Sequence, residues 1–361
     1  ESEAIAERLG DRASQAVLLA ARAAHLTTVD RVPDGLELSR RADALVTPED
    51  DRDVWAAIKS GLLHNLAVRG ELEEAARESQ RLVEEVDPPD LSLGLPVIGY
   101  SAYTHWGMVR AWTLGFLGRL EEARGEIARA LTLARDSSQR EMLAFCLSLD
   151  IWLADAAGHE LSAEERPVDQ TAFAAMEIAE ELGSPYSLVI AHRDLGTAHL
   201  AAGRPGEAIA ALERSVELAN EHRIGLDMEP WSLARLSGAH LAAGESERAV
   251  AAAQQAAALA DARGVRMFAP LARLALARAI LAREARDGGD RIEEVLGEAE
   301  ALVAQTGGRV ISPGIVECRA ELAGARDEPA ERERLLRDAQ ALYAEGGADG
   351  HAARVAELLS A

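Results

Sequence analysis

Apolar residues recur at every third or fourth position along most of this chain, and short polar turns separate one such run from the next. The clearest example extends from Leu195 to Ala219 and reads LGTAHLAAGRPGEAIAALERSVELA. This spacing places the apolar side chains on one face of an α-helix, and Gly203 marks a turn between two such helices. Small residues occupy the positions where the two helices would cross: Gly196, Ala208 and Ser215. The stretch therefore predicts a closely packed helix pair.

The same unit recurs along the chain at intervals of 40 to 48 residues, each copy with a turn glycine and an alanine five residues later. The copies are Gly70 with Ala75, Gly118 with Ala123, Gly203 with Ala208 and Gly244 with Ala249, and a weaker one lies at Gly158. Glycine ends a helix at low cost because it adopts positive φ, and alanine lets the second helix approach the first. Prolines near the expected start of a first helix support this division, because a missing N–H costs nothing there. They are Pro185, Pro230, Pro270 and Pro313.

These signals predict an array of helix pairs. The pairs are 11–26 with 33–46, 52–69 with 71–86, 99–117 with 119–135, 139–157 with 168–182, 186–202 with 205–222, 229–243 with 245–263, 268–286 with 291–306, and 313–324 with 329–345. A final helix over 349–360 would cap the open end, since the last repeat has no neighbour to cover it. We therefore expect one superhelical domain over 1–361, with about eight helix pairs and a cap.

The repeated unit resembles a tetratricopeptide (TPR) repeat, which implies an all-α fold, a right-handed α-solenoid of helix pairs. The long period and the alanine and arginine content are similar to the C-terminal arrays of bacterial signal-transduction ATPases. These include LuxR-type regulators related to the maltose-regulon activator and ATPase-containing adenylate cyclases. The ending LYAEGGADGHAARVAELL (342–359) is similar to the ends of such arrays. In those families the array senses an inducer or a partner protein. No Walker A motif or output domain is visible in this sequence, so the resemblance implies the sensing part of a longer protein.

Composition narrows the classes of partner. The formal net charge of −23 disfavours binding to nucleic-acid phosphates and to anionic membranes. No apolar run reaches the ~18 residues needed to span a bilayer, and no signal peptide is evident, so a cytoplasmic protein is expected. The two cysteines, Cys146 and Cys318, lie in helical patterns and are expected to be buried and free of metal.

One face of the first helices is rich in aromatic residues, although only 4% of the chain is aromatic. Positions 13, 10, 6 and 3 before each turn glycine share a helical face, and in TPR arrays this face lines the concave groove. The candidate ligand- or partner-binding residues are His105, Met108, Trp112, Phe116, Phe145, Trp152, Asp155, Arg193, Thr197 and Trp231. Arg193 would pair with a carboxylate or phosphate, or stack on an aromatic ring.

The competing interpretation is that these aromatic residues form ordinary core between repeats. The groove assignment also places Arg110 and Asp150 on packed faces, which requires either a buried ion pair or a shift of the third and fourth repeats. Residues 87–99, DPPDLSLGLPVIG, form a long proline-containing connection ahead of Tyr100. This connection is expected to pack beside the groove and to take part in binding.

The sequence shows no catalytic constellation, metal-ligand cluster or cofactor motif. The leading hypothesis is therefore a non-catalytic domain that senses a protein or a small-molecule inducer in its groove. The alternative is a stand-alone TPR scaffold or co-chaperone that binds a peptide segment of a partner, although the usual basic carboxylate clamp of peptide-binding TPRs is disfavoured by the acidic chain. The oligomeric state is left open.

Overall fold

A computed structural model describes Ala6 and residues 10–29, 31–158 and 168–360 of the chain, and every regular element within them is helical. The α-helices are α1 (Arg12–Thr28), α2 (Val32–Asp43), α3 (Arg52–Arg69), α4 (Leu72–Glu85), α5 (Leu95–Ile98), α6 (Ala102–Phe116), α7 (Leu120–Asp136), α8 (Arg140–Ala157), α9 (Val168–Leu182), α10 (Pro185–Ala201), α11 (Pro205–His222), α12 (Glu229–Ala242), α13 (Ser246–Arg263), α14 (Ala269–Glu284), α15 (Gly289–Thr306), α16 (Ser312–Ala325), α17 (Pro329–Glu345) and α18 (Asp349–Ser360). Short 3₁₀ segments cover Ala285–Gly288 and Arg309–Ile311.

The predicted right-handed α-solenoid is confirmed, and the long helices begin and end within a few residues of their predicted positions. The five turn glycines adopt positive φ, from +68° at Gly203 to +86° at Gly70. The four recurring prolines lie at the first or second position of α10, α12, α14 and α16. The local signals in the sequence therefore determined where helices start and stop.

The α10–α11 pair shows why small residues recur at the crossing points. A Cβ atom on Gly196 would lie 2.4 Å from Cγ of Leu212, so only glycine allows this approach. Ala208 is fully buried in the same contact. The Ser215 hydroxyl donates a 2.8 Å hydrogen bond to the Val189 carbonyl. Small side chains thus bring the two helices together, as the sequence predicted.

The connection over 87–99 contains the short helix α5, which the sequence did not predict. The Leu93 side chain is buried, the Gly94 amide donates to Asp53 Oδ1 at 2.8 Å, and the Leu91 carbonyl accepts from Gln139 Nε2 at 3.2 Å. The connection is therefore packed against the second and fourth pairs.

The solenoid winds so tightly that its second superhelical turn lies directly on its first. The hydrogen bonds that join the two turns include Leu226 N to Thr28 O (3.1 Å), Met267 N to Val68 O (3.2 Å), Leu120 N to Gly346 O (3.3 Å), and His351 Nε2 to Asp155 O (3.0 Å). Each links one helix pair with the element about five pairs further along. We call the surface where these residues meet the seam. Because of the seam, the first five pairs form a closed ring.

Close approach at the seam gives the first-turn glycines a second role. A Cβ on Gly70 would lie 2.7 Å from Cγ2 of Thr306, and one on Gly158 would lie 2.5 Å from the His351 amide nitrogen. No further superhelical turn lies against Gly203 or Gly244, and a Cβ on either would meet nothing within 4 Å. Glycine is thus required at the seam by space as well as by φ.

Gly350 offers a direct test of the seam, because a Cβ there would lie 1.9 Å from the Gly158 carbonyl oxygen. We expect Gly350→Ala to lower the free energy of unfolding by about 1–3 kcal/mol, the usual cost of overpacking, and to release α18. Urea denaturation and hydrogen exchange over 349–360 measure both effects. The matched control is Gly297→Ala within α15, where a Cβ meets nothing within 4 Å. Equal changes in the free energy of unfolding and in hydrogen exchange for the two variants would contradict a close-packed seam.

Candidate functional site: an axial cavity

A cavity of about 240 Å³ lies on the axis of the ring. The first helices of the first five pairs (α1, α3, α6, α8 and α10) surround it, and Met228 and Trp231 of the second turn close one side. The cavity is therefore built from one complete superhelical turn and the beginning of the next. Its other side is open.

Six of the ten predicted site residues line this cavity. They are His105, Met108, Trp112, Phe145, Arg193 and Trp231. They come from four different helices, and the shared offset from the turn glycines is the signal that brings them together. The helix-face argument therefore located the wall of the cavity.

The other four predicted residues lie elsewhere. Phe116 and Trp152 are 1% and 5% exposed and belong to an aromatic cluster beneath the cavity. The Thr197 hydroxyl donates to the Arg193 carbonyl at 3.1 Å. Asp155 forms an ion pair with Arg235 and accepts from His351 at the seam.

The position on the first helix that faces the cavity changes gradually from pair to pair along the superhelix. In the second and third pairs, the lining includes the residue six before the turn glycine, His64 and Trp112. In the fourth and fifth pairs the equivalent residues are Trp152 and Thr197, and neither lines the cavity. Successive first helices are displaced along the superhelical axis. In a later pair, a residue nearer the N-terminus of the first helix therefore faces the cavity.

The floor is a packed cluster of five aromatic rings. Phe116 stacks on Trp152 with centroids 4.5 Å apart and an interplanar angle of 11°, and Trp231 stacks on Phe268 at 5.1 Å and 30°. Trp112 contacts both phenylalanines at 6.4 and 6.0 Å. Aromatic pairs in such geometries stabilise by about 0.5–1.5 kcal/mol beyond area burial. Rings from both superhelical turns thus form one rigid base.

Arg193 is buried in the wall, 3% exposed, with its charge already paired. Its Nε and Nη2 donate to Asp194 Oδ1 at 3.1 and 2.8 Å, and Nη2 also donates to Ser148 Oγ at 2.7 Å. The guanidinium carbon lies 4.0 Å from the centroid of the Trp231 ring. Burial raises the pKa of Asp194, and the adjacent guanidinium opposes that shift. Arg193 thus stacks on an aromatic ring and pairs with a carboxylate of the protein itself, and its pairing with a ligand stays a prediction.

Three further polar side chains of the wall, His105, Tyr100 and Tyr186, are uncharged. Burial lowers the pKa of His105 to about 3 and raises the pKa of Tyr100 to about 12. Burial also raises the pKa of Tyr186. The His105 ring packs on Tyr100 at 5.4 Å, and its Nδ1 is buried with no hydrogen-bond partner among the described residues. These three side chains are therefore neutral at physiological pH.

The contributors that the sequence analysis missed include Tyr186, Met228 and Phe268. Tyr186 lies one helical turn before Ile190 on the same face, so extending the offset rule by four residues finds it. Met228 and Phe268 each lie two residues before a recurring proline, as does Ile311, and all three are buried. The apolar residue two positions before Pro230, Pro270 and Pro313 is thus a sequence signal shared by the second superhelical turn.

Two other predictions concern buried groups. Arg110 forms an ion pair with Glu126, with Nε and Oε1 3.4 Å apart, so its charge on the packed face is paired. Cys146 and Cys318 are both buried and free, as predicted.

Among the described residues, no group of three or more His, Cys, Asp and Glu side chains could hold a metal ion. No helix in the same part of the chain is long and apolar enough to cross a membrane.

By its repeated helix pairs and superhelical winding, the chain is a TPR-type α-solenoid. No family model and no curated protein sequence matches it. Its structure is similar to that of a Rap protein complexed with competence and sporulation factor, with a TM-score of 0.56 and 13% identity over 96% of this chain and 99% of that one. A chain of the APC/C hetero-tetramer Cut9–Hcn1 also has a TM-score of 0.56, with 16% identity over 94% of this chain and 55% of that one. A signal-transduction ATPase with a TPR sensor from Pyrococcus horikoshii has a TM-score of 0.46, with 14% identity over 87% of this chain and 45% of that one. At these identities the similarity concerns the fold.

Proposed function

We propose that this chain is a non-catalytic, ligand-sensing TPR domain of a larger bacterial signalling or transcription regulator. The observation that carries the proposal is the axial cavity, whose wall comes from the first helices of six consecutive pairs. A concave, largely apolar site with a few placed polar groups is the usual form of a small-molecule site. The setting in a larger regulator rests on the sequence resemblance.

The position of the cavity suggests how binding would be transmitted. A ligand would contact the first superhelical turn and, through Met228 and Trp231, the start of the second. His64 Nε2 and Asp227 Oδ2 join the two turns beside the cavity at 3.2 Å. A ligand that contacts both turns favours the arrangement in which they are closed, and shifts the population towards it. The signal would therefore be a change in superhelical closure.

The alternative, a scaffold that binds a peptide segment, is less well supported by the shape of the site. The aromatic floor closes the axis, so an extended chain cannot pass through the ring. A partner could place one side chain in the cavity, and the remaining peptide would lie outside it. The experiment below distinguishes the two, since it includes both kinds of ligand.

Gly61 allows the cavity to be filled without disturbing the fold. It lines the cavity within α3, and a Cβ there meets no atom within 4 Å. We expect Gly61→Leu to fold normally and to lose ligand binding. Gly125→Leu is the matched control, because Gly125 is an exposed glycine within α7 with equally free space.

The measurement is a thermal-shift screen of wild type and both variants against metabolites and short peptides. A ligand at 100 times its Kd should stabilise the protein by about 2.7 kcal/mol. The expected result is a small molecule that raises the Tm of wild type and Gly125→Leu and leaves Gly61→Leu unchanged. Ligands that shift all three proteins equally would contradict a sensing role for the cavity, and peptides alone would favour the scaffold.

A further inference from the structure

We propose that the axial cavity selects an uncharged, flat ligand of about two fused rings with a hydrogen-bonding group at one end. This inference names the ligand class for the sensing function proposed above and rests on it. It follows from the size of the cavity, the shape of its wall and the distribution of charge. It departs from the expectation that Arg193 would bind a carboxylate or phosphate.

The size of the cavity limits the part of a ligand that it can enclose. An apolar cavity of about 150 Å³ accommodates benzene, so the 240 Å³ on this axis has space for about one ring more. The wall is formed largely of flat faces. Phe145 and Tyr186 meet edge to face at 5.8 Å on one side, and Trp112 and Trp231 form the floor. Aromatic faces on two sides of the cavity favour a planar aromatic ligand over a branched aliphatic one.

The charges around the cavity disfavour ions of either sign. Among the residues that line it, Arg193 is the one permanently charged side chain, and its Nε and Nη2 groups already donate to Asp194 and Ser148. An anion would therefore lose its hydration and gain little from a guanidinium that is already paired. A cation would find no lining carboxylate, and Arg193 already occupies the face of Trp231. An uncharged ligand avoids both costs.

The hydroxyls of Tyr100 and Tyr186 identify the polar end. Both side chains line the cavity, and neither hydroxyl has a hydrogen-bond partner among the described residues. Burial raises the pKa of both, so each keeps its proton and offers one donor and one acceptor. His105, also neutral, lies beside Tyr100. A carbonyl, amide or hydroxyl group on the ligand would satisfy these groups.

Three probes of one shape test the inference: the β-isomers of naphthamide, naphthoate and naphthamidinium, which are neutral, anionic and cationic. Isothermal titration at pH 7 with the whole chain should show naphthamide binding at least ~10-fold more tightly than either ion. Tyr100→Phe and Tyr186→Phe should each weaken naphthamide binding about five-fold, the loss of one hydrogen bond. Tyr103→Phe is the control, because Tyr103 lies three residues after Tyr100, in the first turn of α6, but does not line the cavity.

The outcomes separate this inference from the function it rests on. Equal or tighter binding of naphthoate would show that Arg193 is available to an anion and would overturn the inference while leaving a ligand cavity. Tighter binding of naphthamidinium would overturn it in the same way. Binding that Gly61→Leu does not abolish would place the probes outside the cavity and would also overturn it. If no probe binds, the assigned ligand class is wrong, and the sensing function then depends on the library screen alone.

Discussion

Replacing Trp152 with alanine is expected to lower the free energy of unfolding by about 3–5 kcal/mol, the range for removing a large buried aromatic side chain. The Trp152 ring is 5% exposed and stacks on Phe116. It also packs so closely on Gly115 that a Cβ there would lie 2.5 Å from Cζ3 of the indole. The variant would leave a void in the floor between the two superhelical turns. Urea denaturation measures the loss.

Phe173→Ala is the control for this prediction, because Phe173 is 49% exposed and its loss should cost under ~1 kcal/mol. Tryptophan fluorescence gives an independent measurement. Emission that is blue-shifted and resistant to quenchers in the wild type is expected, since all five tryptophans are buried. Tolerance of Trp152→Ala would contradict the packed floor and would favour the groove role predicted from the sequence.

Replacing Arg193 with leucine is expected to cost about 3–5 kcal/mol at neutral pH, because it leaves the buried Asp194 carboxylate without its cation. The cost should depend on pH. The folded pKa of Asp194 is raised by burial, and Arg193 is what opposes the shift, so the variant raises this pKa further. A raised folded pKa gives stability that is complete below the unfolded value and is lost as pH rises through the folded value. The deficit should therefore be smaller at pH 5 than at pH 8.

The matched control is the double variant Arg193→Leu with Asp194→Asn, which removes both charges. It should recover part of the stability, and its deficit should no longer grow as pH rises from 5 to 8. Chemical denaturation of the wild type and the two variants across that range provides the comparison. A deficit that is the same at every pH would show that the folded variant binds no more protons than the unfolded chain over this range, so that Asp194 stays ionised and its pKa is not raised into the range even without Arg193.

Much of the fold could be predicted because the signals are local. A glycine at positive φ, a proline at a helix start and an alanine at a crossing each act within one pair, so Gly203, Pro185 and Ala208 could be assigned without knowing the rest of the chain. The seam could not be predicted in this way. The contact of Gly158 with Gly350 depends on the superhelical pitch, which is the sum of small rotations over five pairs.

The candidate site could likewise be predicted only in part. The shared offset places Phe145 and Trp152 on one helical face, and both are on that face in the structure. Whether the residue at a given offset from the turn glycine lines the cavity or packs in the floor depends on the position of its helix along the superhelical axis. The sequence of one repeat does not reveal that position. The pairing of Arg193 was hidden for another reason. Adjacent residues on a helix do not normally face each other, yet the long guanidinium bends back to Asp194.

The seam has a consequence for how the chain folds. In an ordinary solenoid each repeat contacts only its neighbours, so ends can unfold while the middle remains folded. Here His351 meets Asp155 across 196 positions of sequence, and such distant contacts slow folding because a long loop must close first. During synthesis the first five pairs emerge with an open axis, and the cavity acquires its floor only when Trp231 and Phe268 have left the ribosome. The ability to bind a ligand would then arise late, in one cooperative step, instead of growing repeat by repeat.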